Sequence, residues 1–113
     1  MTCGSLEIEI LNSIWDLTSS DEDKDISIQD VVDYLCAHNL ERAYTTIKTV
    51  MDRLTAKSIL VRYRVGKKFF YKATMSKEEM ASEAVDELVE NFFGKSSSEF
   101  MHFVESKYSL TVA

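Results

Sequence analysis

The feature that most constrains the fold of this chain is a change in the spacing of its apolar residues near position 59. Between residues 6 and 57, three segments repeat apolar side chains every three or four positions, as amphipathic helices do. ILVRYR and FFYKA then follow as β-rich runs, and the VGKK between them supplies Gly66 for a hairpin turn. The order helix, helix, helix, hairpin predicts a winged helix-turn-helix, with the helix pair at 27–57 and the wing at 59–73.

Local signals support the predicted helices. Ser5 is available as the N-cap of the first helix, and Ser27 with Asp30 forms a capping-box pattern at the start of the second. Proline is absent and glycine occurs three times, which favours helices joined by short connections. Cys36 falls on the apolar side of the second helix, where we expect a packed thiol.

The C-terminal third, residues 76–113, is predicted to be a helical region that follows a DNA-binding domain at 1–75. Segments shorter than about 40 residues rarely enclose a core alone, yet this one is rich in large apolar side chains. We therefore predict a homodimer and a mainly α fold with a small β-hairpin (α+β). The residues expected at the dimer contact are Leu88, Phe92, Phe93, Phe100, Met101, Phe103 and Val104.

A strongly basic segment, residues 42–72, lies within an acidic protein. It contains nine Lys and Arg residues against one acid, Asp52, for a net charge of +8, whereas the whole chain carries −6. Fields from exposed charges are screened beyond about 10 Å, so a partner responds to the local charge. The segment therefore predicts a polyanionic partner, double-stranded DNA.

The polar side of the third helix and the outer part of the hairpin supply the candidate contacts. Cationic side chains can donate to guanine edges and phosphates, and threonine can bond phosphates or pack on a thymine methyl group. The candidate DNA-binding residues are Arg42, Tyr44, Thr45, Thr46, Lys48, Thr49, Arg53, Arg62, Arg64, Lys67 and Lys68. The competing interpretations are a solvated helix face, charges that protect an edge strand, and a tyrosine that packs on the preceding helix.

Two further expectations concern neighbours of these residues. Asp52 follows Lys48 by four positions and is predicted to pair with it and orient it. Along the first strand of the wing, the arginines alternate with Val61 and Tyr63. We expect the arginines to share the outer face while the alternating residues pack inward.

Several function classes are not expected. No apolar run approaches the roughly 18 residues that cross a membrane, and the acidic N-terminus lacks the basic region of a signal peptide. A cytoplasmic protein with free thiols follows. The sequence has no CxxC spacing, no Gly-rich phosphate loop and no evident nucleophile–base arrangement, so we expect neither an enzyme nor a bound metal or cofactor.

The run AYTTIKTVMDRL, with LEIEILNSIWDL upstream and YKATMSKEE downstream, resembles the penicillinase-repressor family over about residues 5–105. The resemblance implies a homodimeric winged-helix repressor that binds inverted repeats. It implies that the helix at 43–57 enters the major groove, that 61–72 forms the wing, and that the C-terminal helices dimerise.

The chain also departs from that family. Ser58 stands where the family usually has a helix-ending glycine, and a left-handed conformation there would cost about 1 kcal/mol. In β-lactam-responsive members a protease cuts within the final helices. The matching bond is His102–Phe103, with His102 in place of the family's asparagine, and a regulatory protease is thus a further implied partner. The cysteine cluster of the copper-sensing branch is absent, and the chain ends soon after Ser106, which predicts a weaker or rearranged dimer.

Two alternative functions stay open from sequence. A winged helix can serve as a protein-interaction module, with its basic face docked on an acidic protein or its Phe-rich tail bound to a different subunit. Alternatively, the repressor is switched by thiol oxidation through Cys3 and Cys36.

Overall fold

The computed structural model describes residues 3–109, which contain five helices and one two-stranded antiparallel hairpin. In chain order the elements are α1 (Ser5–Leu17), α2 (Ile28–Ala37), α3 (Tyr44–Ala56), β1 (Leu60–Val65), β2 (Lys68–Ala73), α4 (Lys77–Phe92) and α5 (Ser97–Lys107). The chain divides into an N-terminal unit, residues 3–77, and a C-terminal unit that begins at Glu78. The predicted fold class, mainly α with a β-hairpin, is confirmed. None of the helices in the described range is long and apolar enough to span a membrane.

The core of the N-terminal unit lies where α1, α2 and α3 meet each other and the base of the hairpin. The apolar positions that repeat at helical spacing in the sequence are the ones that become buried, because each helix turns a single stripe inward. The fully buried side chains are Ile10, Leu11, Ile14, Ile26, Val31, Leu35, Ile47, Met51, Leu54, Ile59, Leu60 and Tyr71.

The N-cap residue was predicted correctly for α2 and incorrectly for α1. Ser27 caps α2 as predicted: its Oγ accepts from the Asp30 amide at 3.1 Å, and Asp30 Oδ2 accepts from the Ser27 amide at 2.9 Å. The prediction for α1 was wrong, because Gly4 occupies the N-cap position and Ser5 is the first helical residue. The Gly4 amide donates to Glu7 Oε1 at 2.9 Å. An N-cap at Ser5 would have put an isoleucine, without any acceptor, at the third helical position.

The ends of α2 and α3 use the same backbone motif. Asn39 and Ser58 adopt left-handed conformations, with φ of 63° and 64°. After α3, the amide of Ile59 donates to the Leu54 carbonyl at 2.9 Å and that of Ser58 to the Thr55 carbonyl at 3.0 Å. This is the Schellman arrangement, which satisfies carbonyls that the helix leaves unpaired. It reverses the chain so that β1 starts beside the end of α3.

The hairpin pairs β1 with β2 around a two-residue loop. Val65 is paired with Lys68, so Gly66 and Lys67 form the turn, and Gly66 has a φ of 63° that suits glycine. At the base, the Tyr71 amide donates to the Ile26 carbonyl at 2.8 Å. This bridge joins β2 to the segment just before α2 and contributes to holding the wing against the helices.

The predicted orientation of the wing was wrong in part. The strand register places Arg62 opposite Tyr71, and it places the buried Leu60 on the same face. The arginines therefore share the face that meets α3 at its base. Val61, expected to pack inward, is 48% exposed, whereas Tyr63, for which the same was expected, is partly covered. The residues at the base of the hairpin that contact the body decide which face is covered, and alternation within β1 alone does not contain that information.

The C-terminal unit consists of most of α4 and all of α5. The ring of Phe93 lies between those of Phe100 and Phe103, with ring centroids 5.5 and 5.2 Å away. Ser96 caps α5, because its Oγ accepts from the Glu99 amide at 3.2 Å, and Gly94 precedes it with a φ of 57°. Neither helix contains a fully buried residue.

Candidate nucleic-acid interface

The two sides of α3 differ sharply in chemistry and burial. Its apolar stripe, centred on Ile47 and Leu54, is fully buried. The opposite side is polar and exposed, and nothing in the N-terminal unit covers it. The exposed candidates on α3 are Tyr44, Thr45, Thr46, Lys48, Thr49 and Arg53. The face therefore has the shape and polarity of a helix that can enter a groove.

The threonines on this face are not equivalent. Thr49 Oγ1 donates to the Thr45 carbonyl one turn earlier, at 2.9 Å. Its hydroxyl proton is thus used within the helix, which leaves the oxygen as an acceptor and the methyl group exposed. Apolar contact with a thymine methyl group is consequently the chemistry that Thr49 offers most directly.

The wing carries its cations in two places. Lys67 and Lys68 lie at the tip, exposed, and Arg64 Nε donates to the Gly66 carbonyl at 3.1 Å. Arg62 lies nearer the base, on the face that meets α3. Tip and base can therefore make different contacts with a partner.

Phe69 lies opposite Arg64 across the two strands and is not among the residues predicted from the sequence. The guanidinium carbon of Arg62 lies 4.6 Å from the centre of its ring and that of Arg64 lies 5.7 Å from it. Cation–π contacts of this kind hold the planar guanidinium groups in defined orientations. The sequence shows two alternating arginines in one strand and an aromatic residue in the next. Only the strand register shows that this aromatic residue lies beside those arginines.

Asp52 connects α3 to the wing. Its Oδ2 accepts from Lys48 Nζ at 2.7 Å, which confirms the predicted pair four residues apart. Its Oδ1 accepts from the Tyr71 hydroxyl at 3.2 Å and lies 3.9 Å from a guanidinium nitrogen of Arg62. One carboxylate therefore faces two cations and one phenol from three different elements, α3, β1 and β2.

These contacts shift the protonation equilibria around Asp52. The hydrogen bond from Lys48 lowers the pKa of Asp52, with smaller contributions from Tyr71 and Arg62, while partial burial opposes them. The same hydrogen bond raises the pKa of Lys48. Burial, then the charge of Asp52, raises the pKa of Tyr71. At neutral pH the arrangement is an ionised carboxylate, an ammonium and a neutral phenol.

Not every cation of the basic segment is available to a partner. Lys57 Nζ bonds both carboxylate oxygens of Glu7, at 2.9 and 3.2 Å, and ties α3 to α1. Lys72 lies 3.6 Å from Asp23. In contrast, Arg53, Lys67 and Lys68 form no salt bridge with any residue between 3 and 109. Arg42, just before α3, donates to the neighbouring carbonyl of Glu41 at 2.9 Å.

The other face of the wing is bound to the acidic loop that precedes α2. The Tyr63 hydroxyl donates a hydrogen bond to Asp25 Oδ1. Burial and that bond raise the pKa of Tyr63 to about 12. Lys72 on this face lies 3.6 Å from Asp23, so an acid of the loop offsets its charge. The two arginines of the wing lie on the opposite face, the one nearer α3.

The residues predicted at the dimer contact divide into two groups. Phe93, Phe100 and Val104 are partly covered within the C-terminal unit. The others are exposed, and Phe92 is the most exposed of them at 75%. The exposed apolar side chains of this unit are Val85, Leu88, Phe92, Met101, Phe103 and Tyr108. His102 and Phe103 lie in the middle of α5, so the candidate cleavage bond is within a regular helix.

The thiols are not arranged as the sequence suggested. Cys36 is exposed and does not pack in the core, because α2 turns Val31 and Leu35 inward instead. Cys3 is partly buried, and both thiols are free. Within residues 3–109 no group of three or more His, Cys, Asp or Glu side chains could hold a metal ion.

Comparisons with known proteins agree with this architecture. A solved structure of the ferric uptake regulator from Francisella tularensis with iron matches with a TM-score of 0.52. That match covers 81% of this chain and 80% of that chain at 17% sequence identity, so it concerns the fold alone. A search of curated protein sequences found no significant match. The family model described as penicillinase repressor matches residues 3–112, nearly the whole chain. The chain belongs to the penicillinase repressor family.

Proposed function

We propose that this chain is a homodimeric transcriptional repressor that binds an inverted-repeat DNA operator, with α3 in the major groove and the wing on the flanking phosphates. Family membership makes it a DNA-binding transcriptional regulator. The dimer, the operator and the individual contacts are the parts that we propose.

The observation that carries the proposal is the exposed polar face of α3 beside the cationic hairpin. Thr45, Thr46, Lys48, Thr49 and Arg53 lie on one side of a helix whose other side is completely buried. Arg53, Lys67 and Lys68 form no salt bridge in the part of the chain that the structure describes. A helix that reads bases next to cations that hold phosphates is the division of labour seen in winged-helix DNA recognition.

Charge supports one orientation on DNA. The C-terminal unit from Glu78 onward holds eight acidic residues and two lysines, for a net charge of −6. That unit would be repelled by phosphates, whereas the basic segment would be attracted to them. Non-specific contacts through the C-terminal helices are therefore disfavoured.

The exposed apolar side chains of α4 and α5 support the homodimer. Phe92, Met101 and Phe103 are about half exposed or more, and such a cluster favours association with another apolar surface. A two-fold dimer presents two copies of α3, so its operator should be an inverted repeat with half-sites about one helical turn apart, or a multiple of that.

Selection of duplexes from a random pool with the full-length chain tests the proposal. We expect enrichment of an inverted repeat and weaker binding of it by Lys48→Ala and Arg53→Ala. Lys24→Ala is the matched control: it removes the same charge from the acidic loop, on the side of the wing away from α3. Equal affinities for the wild type and both α3 variants would contradict the assignment of α3.

The same selection distinguishes a DNA-binding repressor from a protein-interaction module. A winged helix that docks only on an acidic protein would enrich no DNA sequence from the pool. The exposed polar face of α3 favours DNA as the partner. The major groove accommodates a helix, and the hydroxyl and ammonium groups on that face can contact the base edges there directly.

Proteolysis and thiol oxidation are the two candidate ways in which repression ends. A protease that cuts His102–Phe103 would act on a bond inside α5, so the helix has to open locally before cleavage. A thiol switch would act through Cys36, which is exposed. Operator affinity measured before and after oxidant, in the wild type and in a Cys3→Ser/Cys36→Ser variant, tests the thiol route.

A further inference from the structure

Asp52 is the only acid of the basic segment, and it lies on the side of α3 that we propose to face DNA. A carboxylate there repels phosphates and lowers the affinity for any duplex. Its position between α3 and the wing indicates a different role.

The contacts of Asp52 hold two cations of the candidate interface. Lys48 Nζ lies 2.7 Å from Oδ2, and Arg62 lies 3.9 Å from Oδ1. Lys48 and Arg62 remain substantially exposed, with side-chain exposures of 50% and 44%. They are thus accessible to DNA, but each is partly neutralised until Asp52 releases it.

Asp52 also fixes the hairpin relative to α3. The Tyr71 hydroxyl donates to Oδ1 at 3.2 Å, and Tyr71 is buried at the point where β2 bridges to Ile26. Arg62, on the same face of the hairpin, stacks on Phe69 as well. The carboxylate is therefore the point at which the helix, the buried base of the wing and Arg62 of the wing meet.

We infer that Asp52 is a positioning residue that sets DNA specificity: it withholds Lys48 and Arg62 from phosphates and fixes the wing to α3. The inference rests on the proposed function. On non-operator DNA, the cations stay paired with Asp52 and contribute little. On the operator, α3 and the wing enter their sites together, and base edges can replace the carboxylate as partner of Lys48.

Counterion release makes this inference measurable. Each cation that neutralises a phosphate makes the slope of log K against log salt concentration more negative by about 0.9. Asp52→Asn keeps the size of the side chain and removes its charge, so Lys48 and Arg62 become free to bind phosphates. We expect the non-operator slope to become more negative by about 1 to 2 units. The preference for operator should fall by on the order of tenfold as non-operator binding tightens.

Two further variants separate the parts of the inference. Tyr71→Phe removes the hydrogen bond from the wing and keeps the Lys48 pair, so we expect an unchanged salt slope with weaker operator binding. Lys48→Ala should reduce non-operator affinity more in the Asp52→Asn background than in the wild type, because the carboxylate no longer masks the lysine.

Glu22→Gln is the matched control for charge. Glu22 is exposed and forms no salt bridge with any described residue, so its loss should leave the slope and the preference unchanged. Fluorescence anisotropy with operator and scrambled duplexes across a salt series measures both quantities. Thermal unfolding of each variant shows whether a change in binding follows from a loss of folded protein.

The outcomes are distinct. An Asp52→Asn variant that is folded, with a wild-type slope and preference, would overturn the inference and leave the proposed function intact. A parallel loss of operator and scrambled binding with reduced thermal stability would also overturn it, since that is the pattern of a purely structural residue. A wild type that binds neither duplex would remove the proposed function itself, and the inference with it.

Discussion

The hydroxyl of Tyr71 donates a hydrogen bond to Asp52 Oδ1 at 3.2 Å, which joins the wing to the exposed side of α3. Asp52 at the same time holds Lys48 of its own helix. A hairpin attached to its body only through backbone pairing at its base could pivot about that base. The Tyr63–Asp25 bond attaches the opposite face of the hairpin to the loop before α2. The Tyr71–Asp52 bond attaches the near face to α3 and so fixes the distance between the two parts of the candidate interface.

The Glu7–Lys57 pair should stabilise the N-terminal unit in a pH-dependent way. Glu7 is 5% exposed, and its pKa is lowered first by the hydrogen bond from the Gly4 amide and then by Lys57. We expect Glu7→Gln to reduce the free energy of unfolding by about 1–3 kcal/mol at pH 7, the usual cost of losing hydrogen bonds to a buried charge.

The sign of this pH dependence follows from the lowered pKa. The folded pKa lies below the reference value of 4.5, so the stabilisation is present above that value and is lost as the pH falls through the folded pKa. Urea unfolding of wild type and Glu7→Gln between pH 7 and pH 2 measures it. Glu9→Gln, exposed on the same helix, is the control. A difference that did not shrink in acid would contradict the prediction.

Ser58→Gly should stabilise the chain. Ser58 has a φ of 64° directly after α3, and a non-glycine residue pays about 1 kcal/mol or more for a left-handed conformation. Part of this gain is offset by the greater freedom of glycine in the unfolded chain, so we expect an increase of about 0.5–1 kcal/mol in the free energy of unfolding.

The matched control for Ser58→Gly is Asn39→Gly, at the equivalent position after α2. Asn39 has nearly the same φ, 63°, but asparagine tolerates this conformation better than serine. Its gain should therefore be the smaller one. Denaturant unfolding of both variants makes the comparison, and equal gains would show that strain at Ser58 is not the cause.

The Tyr63–Asp25 bond should appear in the alkaline titration. Burial, then the hydrogen bond to Asp25, raises the pKa of Tyr63 to about 12. The neutral phenol contributes stability that is complete below the reference value of 10.0 and is lost as the pH rises through the folded pKa. When tyrosinate absorbance is followed as the pH rises, the component that titrates at the highest pH should be missing in Tyr63→Phe. In Asp25→Asn that component should move to lower pH while staying above 10, because burial remains; no movement would contradict the assignment.

Phe92 and Phe93 should differ when each is replaced by serine. Phe92 is 75% exposed, so Phe92→Ser should leave the protomer folded and shift the association equilibrium toward monomers. Phe93 packs between two rings of α5, so Phe93→Ser should reduce helicity instead. Sedimentation velocity and far-ultraviolet circular dichroism measure the two effects. A wild type that sediments as a monomer at all concentrations would contradict the proposed dimer.

Much of the candidate site follows from the sequence because its determinants are local. Helical spacing in one segment shows which side of α3 is apolar, and a four-residue separation brings Lys48 to Asp52. The Ser27–Asp30 cap is equally local. Each of these needs only the geometry of one helix, which is the same in every protein.

The surroundings of the wing needed the tertiary structure. Alternation in β1 places Arg62 and Val61 on opposite faces but cannot say which face meets the body. That choice depends on β2, where Tyr71 bridges to Ile26 and is buried beside Asp52. Similarly, the turn of α2 that exposes Cys36 follows from how α1 and α3 pack on that helix.

The sequence by itself therefore determined the order of the elements, the basic segment and the Lys48–Asp52 pair, because period, composition and short-range spacing are properties of a single stretch of chain. Only the tertiary structure decided that Asp52 also accepts a hydrogen bond from Tyr71 and lies beside Arg62. Those residues are 10 to 19 positions away from it along the chain. They meet it because the strand register and the buried base of the hairpin turn one face of the wing toward α3.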